Sequence, residues 1–331
     1  MSLKKGGRKM FIFICIMTFV VCFLLGIGSK VVLKPSWAKN YEVKMTPEVG
    51  TLYTDLSYGE KESNRFDMYL PHDQTKKHYG LVVYLHAGGF TSGDKSGDKD
   101  ILSWLCSKGY VAVGINYTLF NEDNPDANVY TQSLEIKDAI PHIIEQAKQY
   151  GYSIDKMAIA GGSAGHTLAM IYAYRDAKTS PIPVQLLFGA VGPSSFYVED
   201  WDNYGFNQNT DKARQGAAEL FSVMSGTQIT SEMIQDQTYL EKVKHISALM
   251  WINDETVPSI VAYGKYDKVQ PFKGSQRLLK AYQKHHVDYQ YFVAEHSGHG
   301  LQNDNKIYHQ YMQTVEAYLE KYMPVKESTN K

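Results

Sequence analysis

The chain has few cysteines, and their placement excludes a fold held by disulfides. Only three of its 331 residues are cysteine. Cys15 and Cys22 lie in an N-terminal apolar run, which leaves Cys106 as the one thiol for the rest of the chain. A single thiol cannot form an internal disulfide, so the fold must be stabilised by its hydrophobic core. We expect Cys106 to be a small buried hydrophobe rather than a nucleophile.

The sequence also lacks an excess of either charge, since its formal net charge is -1. The first 34 residues carry six basic side chains and no acidic one, whereas the remainder holds 28 basic and 35 acidic side chains. A mildly acidic domain binds polyanions poorly, so we expect no nucleic acid partner. No pattern in the sequence predicts the oligomeric state.

One long hydrophobic run is present, at residues 10–29, and it contains no charged residue. About 20 apolar residues at a helical rise of 1.5 Å span a bilayer core. Basic residues precede the run, which favours a cytoplasmic N-terminus with the rest of the chain outside. We therefore predict that residues 1–29 form a basic segment and a membrane anchor. Secretion after signal-peptide cleavage is the alternative, because small residues at 26–28 and 36–38 suit a signal peptidase.

After a linker at residues 30–44, residues 45–325 read as one large domain, and residues 326–331 as a polar tail. Short apolar runs, typical of buried strands, alternate with longer amphipathic runs, typical of helices. The strands are predicted at 81–86, 111–117, 157–160, 184–190, 259–264 and 289–294, and the helices at 99–108, 131–150, 164–175, 272–285 and 307–322. This alternation predicts an α/β fold with a mostly parallel central sheet and helices on both faces. Residues 53–70 predict one or two additional antiparallel strands, and Pro141 should kink its helix or mark the true start.

Residues 194–253 interrupt the alternation with a long, polar, aromatic-rich stretch that is mostly helical in pattern. Long insertions in compact domains are often lids or binding loops, so we predict a helical cap over a site. Tyr197 and Tyr204 in this stretch are candidates to face a ligand. A surface embellishment without a role is the alternative interpretation.

The strongest chemical signal is Gly161-Gly162-Ser163-Ala164-Gly165, which has the form G-x-S-x-G. It lies between a predicted strand and a predicted helix, the context that a nucleophile elbow requires. In such a sharp turn the serine hydroxyl stands exposed, and the helix N-terminus adds backbone donors. The pattern therefore predicts Ser163 as a nucleophile.

A second signal, His86-Ala87-Gly88-Gly89-Phe90, ends an earlier predicted strand and is similar to the H-G-G-G loop of esterases. Glycines allow backbone N–H groups to approach a substrate oxygen closely. We predict that the amides of Gly88, Gly89 and Ala164 form an oxyanion hole.

An acid and a histidine should follow the serine in that order. Asp267 comes after the strand at 259–264, where catalytic groups of open α/β sheets collect. His299 follows the last strand and is flanked by Gly298 and Gly300, which free its loop. We predict Ser163, His299 and Asp267 as nucleophile, base and orienting acid, with His296 as the alternative base.

Together these motifs resemble the α/β-hydrolase superfamily, and within it the carboxylesterases related to hormone-sensitive lipase and to small feruloyl esterases. The resemblance covers residues 56–322, and its matching points are 66–71, 86–90 with 93–94, 116–117, 161–165, 264–267 with Val269 and Pro271, and 297–300. It implies hydrolysis of short acyl or aryl esters without a metal or organic cofactor. The predicted outward-facing location adds ester groups on polysaccharide to small lipophilic esters as candidate substrates. Kynurenine formamidases have a similar loop and elbow, so an amidase or peptidase with the same triad stays open. A non-catalytic binding domain is a third alternative.

Overall fold

The computed structural model describes residues 36–325, within a chain that divides into two compact units at residues 41 and 42. The described part of the first unit is a 3-10 helix, Ser36–Tyr41. The predicted membrane anchor and the polar tail at 326–331 lie outside the described residues. Within residues 36–325, no helix is both long and apolar enough to cross a membrane.

The second unit is built on an eight-stranded sheet in the order β1-β2-β4-β3-β5-β6-β7-β8. The strands are β1 (Gly50–Ser57), β2 (Arg65–Pro71), β3 (Tyr79–Leu85), β4 (Val111–Ile115), β5 (Ile154–Gly162), β6 (Val184–Ala190), β7 (Ser259–Gly264) and β8 (Tyr289–Ala294). Strands β3 to β8 pair in parallel, whereas β1 and β2 form an antiparallel extension against β4. The predicted α/β-hydrolase fold, mostly parallel with two antiparallel strands at one edge, is confirmed.

Helices pack around this sheet. They are α1 (Lys99–Ser107), α2 (Val129–Gln149), α3 (Ala164–Ile171), α4 (Asp211–Ser225), α5 (Ser231–Gln235), α6 (Tyr239–Val243), α7 (Phe272–Lys284) and α8 (Asn305–Tyr322). Helix α3 continues as one π turn, Tyr172–Asp176, so the helical segment passes the predicted end at residue 175 by one residue.

Helix α2 corrects one expectation. It begins at Val129, well before Pro141, so the proline does not mark the start of the helix. The start is set by a capping box, in which the Asn128 side chain accepts from the Thr131 amide and Thr131 Oγ1 accepts from the Asn128 amide. These two bonds satisfy amides that no helical carbonyl can reach.

The stretch at 194–253 leaves the sheet after β6 and returns at β7, and it contains α4, α5 and α6. Its interior is aromatic: Trp201 and Phe221 lie 5.4 Å apart between ring centroids, and Phe196 contacts both. Its first turns are tied to α7, where Arg277 pairs with Asp200 and stacks 4.2 Å from the Tyr197 ring. This packing accounts for most aromatic residues of the stretch. Tyr197 packs against Arg277 of α7 and is not among the residues that line the cavity beside Ser163.

The turn from β5 into α3 depends on close backbone contact. A Cβ atom added to Gly165 would lie 1.9 Å from the carbonyl oxygen of Leu85 at the end of β3. No side chain fits there, because the opposing atom belongs to the backbone of a central strand. Gly165 therefore sets the distance between the helix and the sheet.

We expect Gly165→Ala to lower the free energy of unfolding by about 1–3 kcal/mol, since overpacking against backbone cannot be relieved by a rotamer change. Urea unfolding followed by circular dichroism measures this. Gly97→Ala is the matched control, because an added Cβ there has no atom within 4 Å. Equal stability of the two variants would contradict the packing argument.

Candidate active site

Ser163 occupies the elbow between β5 and α3 in a strained backbone conformation, with φ 51° and ψ -117°. Its amide donates to the Ala190 carbonyl of β6 at 2.9 Å, which fixes the turn to the neighbouring strand. A non-glycine residue with positive φ costs on the order of 1–3 kcal/mol and persists where surrounding contacts impose it. The strain is the geometry of a sharp turn that presents the hydroxyl above the sheet.

The structure brings the three predicted triad residues together. His299 Nε2 lies 2.8 Å from Ser163 Oγ, and His299 Nδ1 lies 2.7 Å from Asp267 Oδ2. An ionised carboxylate can only accept, so Nδ1 carries the proton and Nε2 accepts from the serine hydroxyl. This is the tautomer in which a histidine can remove a proton from serine.

The carboxylate of Asp267 is buried, with 4% of the residue exposed, but both of its oxygens are bonded. Oδ1 accepts from the amides of Val269 at 2.8 Å and Gln270 at 2.9 Å. The Asn203 side chain also donates to the Asp267 carbonyl at 2.6 Å. A buried carboxylate is stable as an anion only when such donors replace water.

Two further histidines, one before His299 in its loop and one after the elbow, lie outside the triad. His296, the alternative base, points into solvent with 80% of its side chain exposed, and its Nδ1 lies 3.0 Å from Asp304 Oδ1. His166 follows the elbow but is buried behind it, where Nδ1 accepts from the Gly192 amide at 3.1 Å. Burial lowers the pKa of His166 to about 3, so this ring stays neutral.

Two of the three predicted oxyanion donors are glycines in backbone conformations that other residues rarely adopt. Gly88 and Gly89 both have positive φ, at 137° and 61°. A Cβ on Gly88 would lie 1.9 Å from the Ser92 carbonyl oxygen, so that position requires glycine. Across residues 36–325, no protein acceptor takes a hydrogen bond from the amides of Gly88, Gly89 or Ala164. Free amides beside a nucleophile are suited to binding a developing oxyanion.

A mostly apolar cavity of about 280 Å³ opens beside Ser163 and His299. Gly89 and Ala164 line it, whereas the Gly88 residue does not. Trp201, Tyr204, Leu220, Val223 and Met224 reach it from the stretch at 194–253, which makes that stretch a cap over the site. The remaining apolar wall includes Phe90, Phe120 and Val129.

Several of these wall residues carried no recognisable sequence signal. Leu220, Val223 and Met224 lie on one helix of the cap, and an apolar helical face by itself indicates ordinary packing. Val129 and Phe120 lie near the start of α2, a region without a chemical motif. Within the stretch at 194–253, Tyr204 is the exception, because the sequence predicts it as an aromatic residue able to face a ligand.

Cys106 is buried, and burial raises the pKa of its thiol to about 12. A thiol with that pKa stays protonated at neutral pH, so Cys106 is not a nucleophile. Among residues 36–325, no group of three or more His, Cys, Asp or Glu side chains is placed to hold a metal ion.

Comparison with known proteins gives a family and a fold. The BD-FAE family pattern matches residues 66–282. The probable carboxylic ester hydrolase LipM of Mycobacterium tuberculosis is 26% identical over 230 residues, which cover 68% of this chain and 50% of that protein. Kynurenine formamidase of Danio rerio is 32% identical over 120 residues, which cover 35% and 37%. The chain thus spans half or less of the length of these relatives.

Two solved structures share the fold. Esterase B from Lactobacillus rhamnosis superimposes with a TM-score of 0.62 at 18% identity, covering 92% of this chain and 95% of that one. A truncated carbohydrate esterase from gut microbiota gives a TM-score of 0.65 at 17% identity, covering 85% and 99%. At these identities the likeness establishes the architecture alone.

We expect Ser163→Ala to abolish ester turnover and Asp267→Asn to lower kcat about 10⁴-fold, since an amide favours the wrong histidine tautomer. Steady-state kinetics on an activated aryl ester, with circular dichroism to verify folding, measures both effects.

We also expect His299→Ala to remove turnover, and His296→Ala to retain most of it, because only the first ring contacts Ser163. The same kinetics on the two histidine variants measures this difference. The reverse ranking would show that His296 is the base.

Proposed function

The chain belongs to the BD-FAE family, and on this basis we propose that it is a serine hydrolase cleaving short acyl or aryl carboxylic esters. The observation that carries the proposal is the continuous hydrogen-bonded series from Ser163 through His299 to Asp267. A serine hydroxyl is a weak nucleophile unless an oriented base removes its proton, and this series supplies that base.

In the proposed mechanism, Ser163 Oγ attacks the ester carbonyl carbon while His299 Nε2 takes the hydroxyl proton. The carbonyl π electrons move to oxygen, and the amides of Gly88, Gly89 and Ala164 stabilise that negative charge. The imidazolium, held by Asp267, then protonates the leaving alkoxide, and an acyl-serine ester remains. His299 next removes a proton from water, which attacks the acyl carbon, and the proton returns to Ser163 as the acid departs.

The cavity favours an apolar group on the substrate. Its walls are mainly aromatic and aliphatic, and it is only about 280 Å³ in volume. Burying apolar surface contributes about 25 cal/mol per Å², so the walls would bind a compact acyl or aryl group. Small lipophilic esters and ester groups linked to polysaccharide both meet this requirement.

We expect a series of 4-nitrophenyl esters from acetate to decanoate to show highest kcat/KM at short chain length, because the cavity is small. The full chain is assayed beside Ser163→Ala, which should release no 4-nitrophenol above background. A decanoate optimum would contradict the proposed acyl size.

Amide hydrolysis is the second candidate, favoured by the match to the kynurenine formamidase of Danio rerio. Esters and amides use the same acyl-enzyme route, so the triad residues do not distinguish them. An N-formyl arylamide assayed in parallel does so: Ser163-dependent cleavage of the amide alone would support the formamidase. Turnover of neither substrate would favour a binding domain.

We further propose that residues 10–29 anchor the chain in a membrane with residues 45–325 outside, since a run of this length and polarity can span a bilayer. We expect the full chain to stay with membranes after carbonate extraction and to keep its complete mass. A soluble product shortened at its N-terminus would instead support signal cleavage, and mass spectrometry of both fractions separates these outcomes.

A further inference from the structure

The loop that carries His299 joins β8 to α8, and the Asp304 carboxylate at its end forms hydrogen bonds with its first residues. Asp304 Oδ2 accepts from the His296 amide at 3.0 Å and from Ser297 Oγ at 2.5 Å. Asp304 Oδ1 lies 3.0 Å from His296 Nδ1. Thus the residue at the end of the loop binds two residues at its beginning, with His299 between them.

These contacts are not those of an ordinary helix cap. Asp304 immediately precedes α8, where an aspartate usually accepts from the first amides of the helix. Its side chain makes no such bond here and turns back to the loop instead. The carboxylate is well enclosed, with 8% of the side chain exposed. The Asp304 carboxylate therefore stabilises the loop and not the first turn of the helix.

The loop also needs support because its backbone is unfavourable in places. Leu301, two residues after the catalytic histidine, has φ 52°, which a leucine rarely adopts. Ser297 is fully buried, and its Oγ accepts from the Asn303 amide at 3.0 Å while donating to Asp304. Ser297 Oγ therefore links both ends of the loop through one hydroxyl group.

The same end of the loop contacts the loop of the catalytic acid. The Tyr266 amide donates to the Ser297 carbonyl at 3.0 Å. A Cβ added to Gly264 would lie 2.1 Å from the Gly298 carbonyl oxygen, so the two backbones are in tight contact. A shift at Ser297 would consequently change the position of His299 relative to Asp267.

We propose that Asp304 is a positioning residue for the reaction, holding the His299 loop so that the ring meets Ser163 and Asp267 together. The inference rests on the proposed serine hydrolase function. Burial acts to raise the pKa of Asp304, but hydrogen bonds from Ser297 and His296 outweigh it and hold that pKa below its usual value. The carboxylate is therefore ionised at neutral pH and able to accept these bonds.

The test compares Asp304→Ala with wild type as full chains, using 4-nitrophenyl acetate and titration of reactive serine with a fluorophosphonate. We expect kcat per titrated site to fall about 10-fold or more with KM nearly unchanged, because small misplacement of a catalytic group is costly. We expect Ser297→Ala to lower kcat in the same sense but less, since Asp304 keeps its bonds to His296. A merely structural role would lower the number of titrated sites and leave kcat per site unchanged.

Asp254→Ala is the matched control, because Asp254 forms a similar pair with His285 at 2.8 Å but is exposed and precedes β7, outside the loops that follow the strands and carry the triad. It should retain wild-type kcat and KM. Wild-type kcat per site in both Asp304→Ala and Ser297→Ala would overturn the positioning role of Asp304 and leave the proposed hydrolase function standing. Absence of turnover and of serine labelling in the wild type would overturn the proposed function as well.

Discussion

Parallel pairing of strands β3, β5, β6, β7 and β8 is the constraint on which the site depends. Because parallel strands end at the same edge of a sheet, the loops that follow them meet there. Ser163 and His299 are 136 residues apart in the chain, yet their side-chain atoms come within 2.8 Å. Each catalytic group needs only a short loop beyond its strand, so the hydrogen-bonded sheet sets most of the distance between them.

That arrangement has an energetic cost, which local contacts offset. Ser163 is held in a strained conformation, and the Asp267 carboxylate is removed from water. Each cost is on the order of a few kcal/mol when left uncompensated. The elbow is secured by its bond to Ala190 and by close contact of Gly165 with β3, while Asp267 receives two backbone amides. The strained turn at Ser163 and the buried carboxylate of Asp267 are thus each held by specific backbone partners.

The sequence predicts the parts of the site whose chemistry is local. Glycines around Ser163 and His299, and an aspartate just after a strand, are visible because each loop needs those residue types within a few positions. The strand bounds are close for the same reason, since buried parallel strands are short continuous apolar runs. The start of α2 lies two residues before the predicted one at residue 131, and the alternative start at Pro141 is wrong because Asn128 and Thr131 cap the helix upstream of it.

What the sequence does not show are contacts between distant segments. The wall formed by Leu220, Val223 and Met224 depends on how the cap folds over the sheet, and its helical spacing is the same as for any packed helix. The role of Asp304 likewise has no signal in the sequence, because its contact with Ser297 exists only in the folded chain.

The catalytic groups and much of the cavity wall come from different parts of the chain, which has a consequence for substrate selection. The catalytic loops are fixed to the sheet and to each other, whereas much of the cavity wall comes from the insertion between β6 and β7. Changes in Leu220, Val223 or Met224 would therefore alter which substrates fit without displacing the reacting groups. The exception is the cap turn around Asn203, since its side chain reaches the backbone of Asp267 while Trp201 and Tyr204 on either side line the cavity. At that turn, substrate selection and catalytic geometry share one piece of backbone, so substitutions there should change both together.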